Sequence, residues 1–183
     1  MAGPDLTIWI PILATWVLAL GTLAFAYWQI RLTRKLHSTS TLLDLRERFY
    51  SPRLREARRE LARWLIDPRR LEEPANWEVP LFFEFAGTLT RSGVLDRHLV
   101  RKGFGPWITA YYTFMRRPDD LIGRWRKEGN DPLIFADFEW LALQVTEMER
   151  RAAPGPLFDQ SLLEEATYVL QGDAQLPAAG GSD

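Results

Sequence analysis

Three acidic residues set in apolar surroundings are the first candidates for chemistry: Glu84, Asp137 and Glu139. A carboxylate near a core needs a cation or several hydrogen-bond donors. Arg91 and Arg124 are the candidate cations, from neighbouring predicted helices. The group Glu84, Arg91, Arg124 and Glu139 reads in two ways. As a buried ion-pair group it fixes helix register; as a pocket it supplies a carboxylate of shifted pKa for acid–base work. Nothing nearby offers a nucleophile or a second catalytic group, so the structural role is favoured and no catalytic residue is assigned.

Other chemistry finds little support. The two histidines, His37 and His98, are far apart in the chain, and no H-E-x-x-H or other ligand run accompanies them, so no metal site is expected. Gly103-Phe104-Gly105 is a fragment of a dinucleotide loop with no strand before it, and reads as a turn. There is no Walker loop and no G-x-S-x-G, and no cofactor is expected. The pairs Glu72-Glu73, Asp119-Asp120 and Glu164-Glu165 read as caps or solvated surface. The series Arg53, Arg55, Arg58, Arg59 and Arg63, continuing to Arg69 and Arg70, lies on the polar side of an amphipathic helix and reads either as a solvated face, with Glu56 and Glu60 paired to arginines three residues on, or as a surface drawn to anionic lipid; the solvated face is favoured.

The element with the clearest signature lies at the front. Pro11 to Ile30 is a twenty-residue apolar run with no Lys or Arg, long enough as a helix to cross the ~30 Å hydrocarbon core of a bilayer. Trp9, Tyr27 and Trp28 sit where interfacial aromatics belong, and Arg31, Arg34 and Lys35 follow at once. The acidic N-terminal flank and basic C-terminal flank predict the N-terminus outside and the bulk of the chain in the cytoplasm. A cleaved secretory signal would need a positive n-region, which is missing. Thr15, Ala19, Thr22 and Ala26 form a stripe of small residues, a candidate surface for homo-oligomers.

The 183 residues contain no cysteine, hence no disulfide or thiolate site. Asp5 is the single charged side chain among residues 1–30, so the remainder balances 23 basic against 23 acidic residues. That balance argues against nucleic acid as a partner. Beyond the anchor every stretch has helical periodicity or turn composition. Ser51-Pro52 starts a helix with a stripe of Leu54, Ala57, Leu61 and Trp64, and Asp67-Pro68 ends it. A helix from Asn76 carries Phe82, Phe85, Ala86 and Leu89 on one face and ends at Gly93. Asp96 caps a short helix, Pro106 opens a longer one, and Pro118 breaks it before a restart at Asp119. Asp131-Pro132 opens the helix Leu133 to Met148. Ser161-Leu162-Leu163-Glu164 is a capping box for a short final helix. The expected fold is all-α: one transmembrane helix (residues 1–30), a cytoplasmic helical bundle (31–152), a linker with a short amphipathic helix (153–171) and a disordered tail (172–183).

The segment Phe82-Phe83-Glu84-Phe85-Ala86-Gly87, with Arg91-Ser92-Gly93-Val94-Leu95-Asp96, Phe104-Gly105, Tyr111-Tyr112, Arg124 and Phe138-Glu139-Trp140-Leu141-Ala142, resembles an uncharacterised family of small bacterial membrane-anchored helical proteins, a domain of unknown function. Phe49-Tyr50-Ser51-Pro52, Arg55 and Arg58 are similar too. The resemblance implies an anchor-plus-bundle plan at a bacterial inner membrane and brings no catalytic residues. The reading that follows is a non-enzymatic interaction or scaffolding module at the cytoplasmic face, with the lipid bilayer and an unidentified protein as partners. The alternative is a membrane-proximal enzyme using the buried carboxylate and arginine group. A pore is disfavoured, because the anchor has no polar stripe.

Overall fold

The computed structural model describes residues 6–67, 77–116, 121–154 and 158–177, and the backbone alone for 6–15, 17, 30–32, 34–36, 158 and 159. Among the described residues all regular structure is helical: α1 (Leu6–Phe49), α2 (Pro52–Ile66), α3 (Glu78–Arg91), α4 (Arg97–Met115), α5 (Leu121–Glu128), α6 (Ala136–Ala152) and α7 (Phe158–Ala174). The chain divides into two units, residues 1–38 and 39–183. The expected starts at Asn76 and Asp119, the break at Pro118 and the last residues of the tail lie outside the described residues.

In the first unit, Trp16, Leu18, Leu20, Leu23, Phe25, Tyr27 and Trp28 are each more than half exposed. Thr22 donates its hydroxyl to the Leu18 carbonyl at 2.8 Å and Thr33 donates to Gln29 at 2.9 Å, so both hydroxyls are satisfied by the helix itself. Among the described residues no helix is long and apolar enough to cross a membrane. The side chains described here begin at Trp16, partway along the apolar run.

The second unit is built around Phe49 at the end of α1. Its ring centroid lies 5.2–5.3 Å from those of Phe82, Phe104 and Trp107 and 6.0 Å from that of Phe83. Tilted and edge-on pairs like these add about 0.5–1.5 kcal/mol each beyond burial. Around this hub α3 packs on α6, and α7 packs on α2 and α4.

Local signals place several ends. Ser51 caps α2 by accepting from Leu54 N–H, with Pro52 at the first helical position. Asp96 caps α4 by accepting from His98 N–H and Leu99 N–H. Gly93, at φ +76°, takes the left-handed turn after α3.

Four expectations are corrected. The turn at Gly103–Gly105 and the separate helix from Pro106 do not exist, because α4 runs through both. Val100, Phe104, Ile108, Tyr111 and Met115 stay in phase across the glycines and the proline, and all are buried. Their burial outweighs the helix-breaking cost, about 1 kcal/mol per glycine and 3 for proline. α6 starts at Ala136 rather than Leu133, because Phe135 adopts φ +56° and packs on Trp125 at 5.4 Å. Phe85 faces outward, 48 % exposed, while Phe83 points into the core. Finally, α7 is no short appendage. It runs from Phe158 to Ala174, with Ser161 inside it, and buries Ala166, Leu170 and Asp173 in the second unit. The expected boundary at residues 171/172 therefore falls within a packed helix.

Candidate functional site

α6 lacks a side-chain cap of its own, which leaves its first N–H groups in need of acceptors. Glu84 of α3 supplies them from across the helix pair. Its Oε1 accepts from Asp137 N–H at 3.3 Å and its Oε2 from Phe138 N–H at 2.7 Å. A negative group at a helix N-terminus is favoured by the dipole as well. Burial raises the Glu84 pKa above the ordinary range; the two backbone donors pull against that rise. Asp137 turns its own carboxylate outward, where it accepts from the Thr88 hydroxyl at 2.7 Å and from Arg91 at 2.9 Å. These bonds, Thr88 first, lower its pKa. The Arg91 guanidinium also lies 5.9 Å from the Trp140 ring centroid.

Glu139 sits one turn further along α6 than Phe135. Burial alone would raise its pKa, but Arg126, Tyr112 and Arg116 together hold it below the ordinary value. Tyr112 donates to Oε1 and Arg126 to Oε2, each at 2.8 Å, and Arg116 approaches Oε1 at 3.4 Å. Arg126 also donates to the Ile134 carbonyl, which closes the turn before α6. The Tyr112 phenol is pushed well up, by burial and by its carboxylate acceptor.

The expected group thus resolves into separate contacts. Arg91 binds Asp137 rather than Glu84, and the α5 guanidinium that binds Glu139 belongs to Arg126. Arg124 is half-buried on α5. Trp9, Arg31, Arg34, Lys35 and Thr15 have side chains outside the described residues, while Tyr27, Trp28, Ala19, Thr22 and Ala26 are exposed. Each oxygen of Glu84 and Glu139 is taken by a donor that fastens one element to another. Among the described residues no three metal-ligating side chains converge.

The acid limb of stability follows from these shifts. Asp137 and Glu139 have folded pKa values below their unfolded ones. Their contribution is full above the ordinary carboxylate range and is lost as pH falls through the folded values. The D137N/E139Q pair is expected to lose less stability between about pH 5 and pH 3 than the parent, read by urea unfolding at each pH. Parallel pH profiles for the two proteins would contradict that assignment.

A second polar cluster escaped the sequence reading. Arg58, set there on the polar side of α2, is 2 % exposed. Its guanidinium stacks 4.0 Å from the Phe49 ring centroid and its Nη1 lies 3.5 Å from Asp173 Oδ1 on α7. Tyr111 of α4 donates to Asp173 Oδ2 at 2.8 Å, and Trp107 adds another bond to the same carboxylate. Burial raises the Asp173 pKa, against the pull of Arg58, Tyr111 and Trp107. Burial and the adjacent carboxylate raise that of Tyr111. Arg63 donates to the Ala174 carbonyl at 2.9 Å and fastens the last turn of α7 to α2. The signal in the sequence was angular. Arg58 is four residues past Leu54 and three before Leu61, so it falls inside the apolar stripe, not outside it. Of the pairs expected along α2, Glu56 meets Arg59 three residues on.

These features define an all-α bundle whose polar clusters hold helices in place. The chain belongs to a family described as a domain of unknown function (DUF4760), whose model matches residues 10–145. Arg58 and Tyr111 lie within that match; Asp173 lies beyond it. No curated protein and no solved structure gives a significant match.

Proposed function

We propose that the chain is a membrane-anchored, non-enzymatic interaction module, with the N-terminal part of α1 crossing a bacterial inner membrane and the second unit on its cytoplasmic side. The observation that carries the reading is the exposure, on all sides of one helix, of the large apolar residues from Trp16 to Trp28. Covering such a side chain is worth about 1.5–3 kcal/mol. A helix apolar all round wants lipid or a complete protein sheath, since a coiled-coil partner would leave the remaining faces in water. The sequence extends this surface back to Pro11, giving a run of bilayer length. Asp5 before it and Arg31, Arg34 and Lys35 after it set the orientation. The exposed Ala19, Thr22 and Ala26 lie on the small-residue stripe, and the intrahelical bond of Thr22 leaves that face smooth for a second copy. Tethering restricts the bundle to the membrane surface and raises its effective concentration toward other membrane proteins.

An enzyme working through Glu84, Glu139 and the arginines is the alternative. It has less support, because the carboxylate oxygens are committed to backbone N–H groups, Tyr112 and Arg126.

The test is extraction. The full chain is expected to stay with the membrane pellet in alkaline carbonate and to leave it in detergent. Arginine at both Leu20 and Leu23 costs about 2.5–3.5 kcal/mol per site at a helix centre and should move the chain to the supernatant. Release of the parent chain by carbonate alone would overturn the reading.

A further inference from the structure

A cleft of about 250 Å³ opens between the C-terminal part of α1 and the first turns of α4. Leu42, Leu43, Leu99 and Phe104 supply its apolar lining, and Arg46 and Lys102 stand as its two charged residues. Among the described residues no carboxylate lines it. Leu43 is 58 % exposed, so the apolar surface reaches the opening. Among the described residues neither Arg46 nor Lys102 takes part in an ion pair. The Arg46 guanidinium lies 6.0 Å from the Tyr50 ring centroid, a contact that holds its stem beside the cleft without neutralising its charge.

Other arginines in the second unit are already committed: Arg53 to Glu78, Arg59 to Glu56, Arg91 to Asp137 and Arg126 to Glu139. Arg46 and Lys102 differ in standing together over apolar walls without a counter-charge. An occupant complementary to that arrangement has a compact anionic head and an apolar stem attached to it.

We propose that this cleft binds an anionic phospholipid, with the phosphate between Arg46 and Lys102 and the first acyl carbons against Leu42, Leu43 and Leu99. The choice of lipid over other anionic amphiphiles rests on the membrane-anchor reading, which puts such molecules at high local concentration. The volume suits a headgroup and the start of a chain, not a folded peptide helix of ~10 Å diameter. A juxtamembrane cation contributes about 1 kcal/mol toward an acidic lipid surface, so two of them favour an anionic over a zwitterionic headgroup by at least tenfold.

The test uses the full chain in nonionic detergent with methyl-labelled leucine. Short-chain dihexanoyl-phosphatidylglycerol is titrated against dihexanoyl-phosphatidylcholine and against inorganic phosphate. The phosphatidylglycerol is expected to shift the Leu42, Leu43 and Leu99 methyl signals saturably, at least tenfold more tightly than either comparator. R46Q/K102Q should abolish the preference between the two lipids, and L43D should remove binding of both. Both changes fall on exposed side chains, and an unchanged unfolding midpoint confirms that the bundle is intact. Equal affinity for the two lipids would overturn the proposal, as would equal binding of phosphate alone or displacement of the lipid by an acidic peptide. The titration needs no bilayer. Failure of the anchor leaves its result standing as a lipid site on an unanchored chain, and failure of the cleft leaves carbonate extraction unaffected.

Discussion

D173A is expected to destabilise the second unit by about 3–5 kcal/mol, a large share of the 5–15 kcal/mol typical of a domain. The reason is what stays behind. Arg58 would keep its charge in a site where it is 2 % exposed, supported by the Phe49 and Tyr50 rings. Its Nε and Nη1 have no hydrogen-bond partner even with Asp173 in place, so the pair is held by charge at 3.5 Å rather than by a fork of bonds. The Tyr111 hydroxyl would lose its 2.8 Å acceptor as well and be left with the longer contact to the Arg58 carbonyl at 3.2 Å. Replacing the pair together, as R58M/D173L, removes both charges and fills the space with apolar atoms. That double variant is expected to recover most of the loss, since no charge is stranded and the Tyr111 hydroxyl keeps the Arg58 carbonyl at 3.2 Å as its acceptor. Urea unfolding followed by circular dichroism measures both, and hydrogen exchange locates the loss. In D173A the amides of α7 should exchange first, because Asp173 and the Arg63 bond to Ala174 secure its final turns. An unchanged midpoint in D173A would show that the pair contributes nothing to holding α7.

G87A should be nearly as damaging, with a sign opposite to helix propensity. Alanine in a helix is ordinarily more stable than glycine by about 1 kcal/mol. At Gly87, however, an added Cβ would lie 2.6 Å from the Asp137 carbonyl carbon and closer still to its oxygen. Those are backbone atoms of α6, so relief requires the two helices to separate. Separation would pull Glu84 from the N–H groups of Asp137 and Phe138, and Thr88 and Arg91 from the Asp137 carboxylate. Overpacking costs about 1–3 kcal/mol, and each lost hydrogen bond adds roughly 0.5–1.5. A total of about 3–5 kcal/mol is expected by urea unfolding. G172A is the internal comparison. Gly172 lies in α7, where among the described residues no neighbour comes within 4 Å of an added Cβ, so the same substitution should stabilise by about 0.5–1 kcal/mol. If both variants gained stability, the close approach of α3 and α6 would be refuted.

The two sites differ in how far the sequence reveals them. Gly87 lies within a family-like segment but carries no sign of a helix crossing, since Asp137 is fifty residues away. Arg58 had a local sign in its place on the apolar stripe, and its charge masked it. Glu84 and Glu139 stand out in the sequence as carboxylates in apolar stretches. Their partners do not, because backbone N–H groups, a phenol and the neighbouring Arg126 are indistinguishable in sequence from many equivalents.

What the sequence determined by itself was the all-α class and the helix ends whose hydrogen bonds close within a few residues. Ser51, Asp96 and Gly93 act on atoms beside them, so composition at those positions is sufficient. Tertiary structure alone decided the rest. It carried α4 through Gly103 and Pro106, because a stripe from Val100 to Met115 could be buried on several helices at once. It moved the start of α6 to Ala136, because Phe135 turns left-handed to pack on Trp125 and Glu84 of α3 supplies the acceptors for the first N–H groups. It drew α7 into the core, because Arg58 and Tyr111 meet Asp173 there. Each of these depends on atoms brought together from distant parts of the chain, and the energy of such contacts exists only once the fold has placed them.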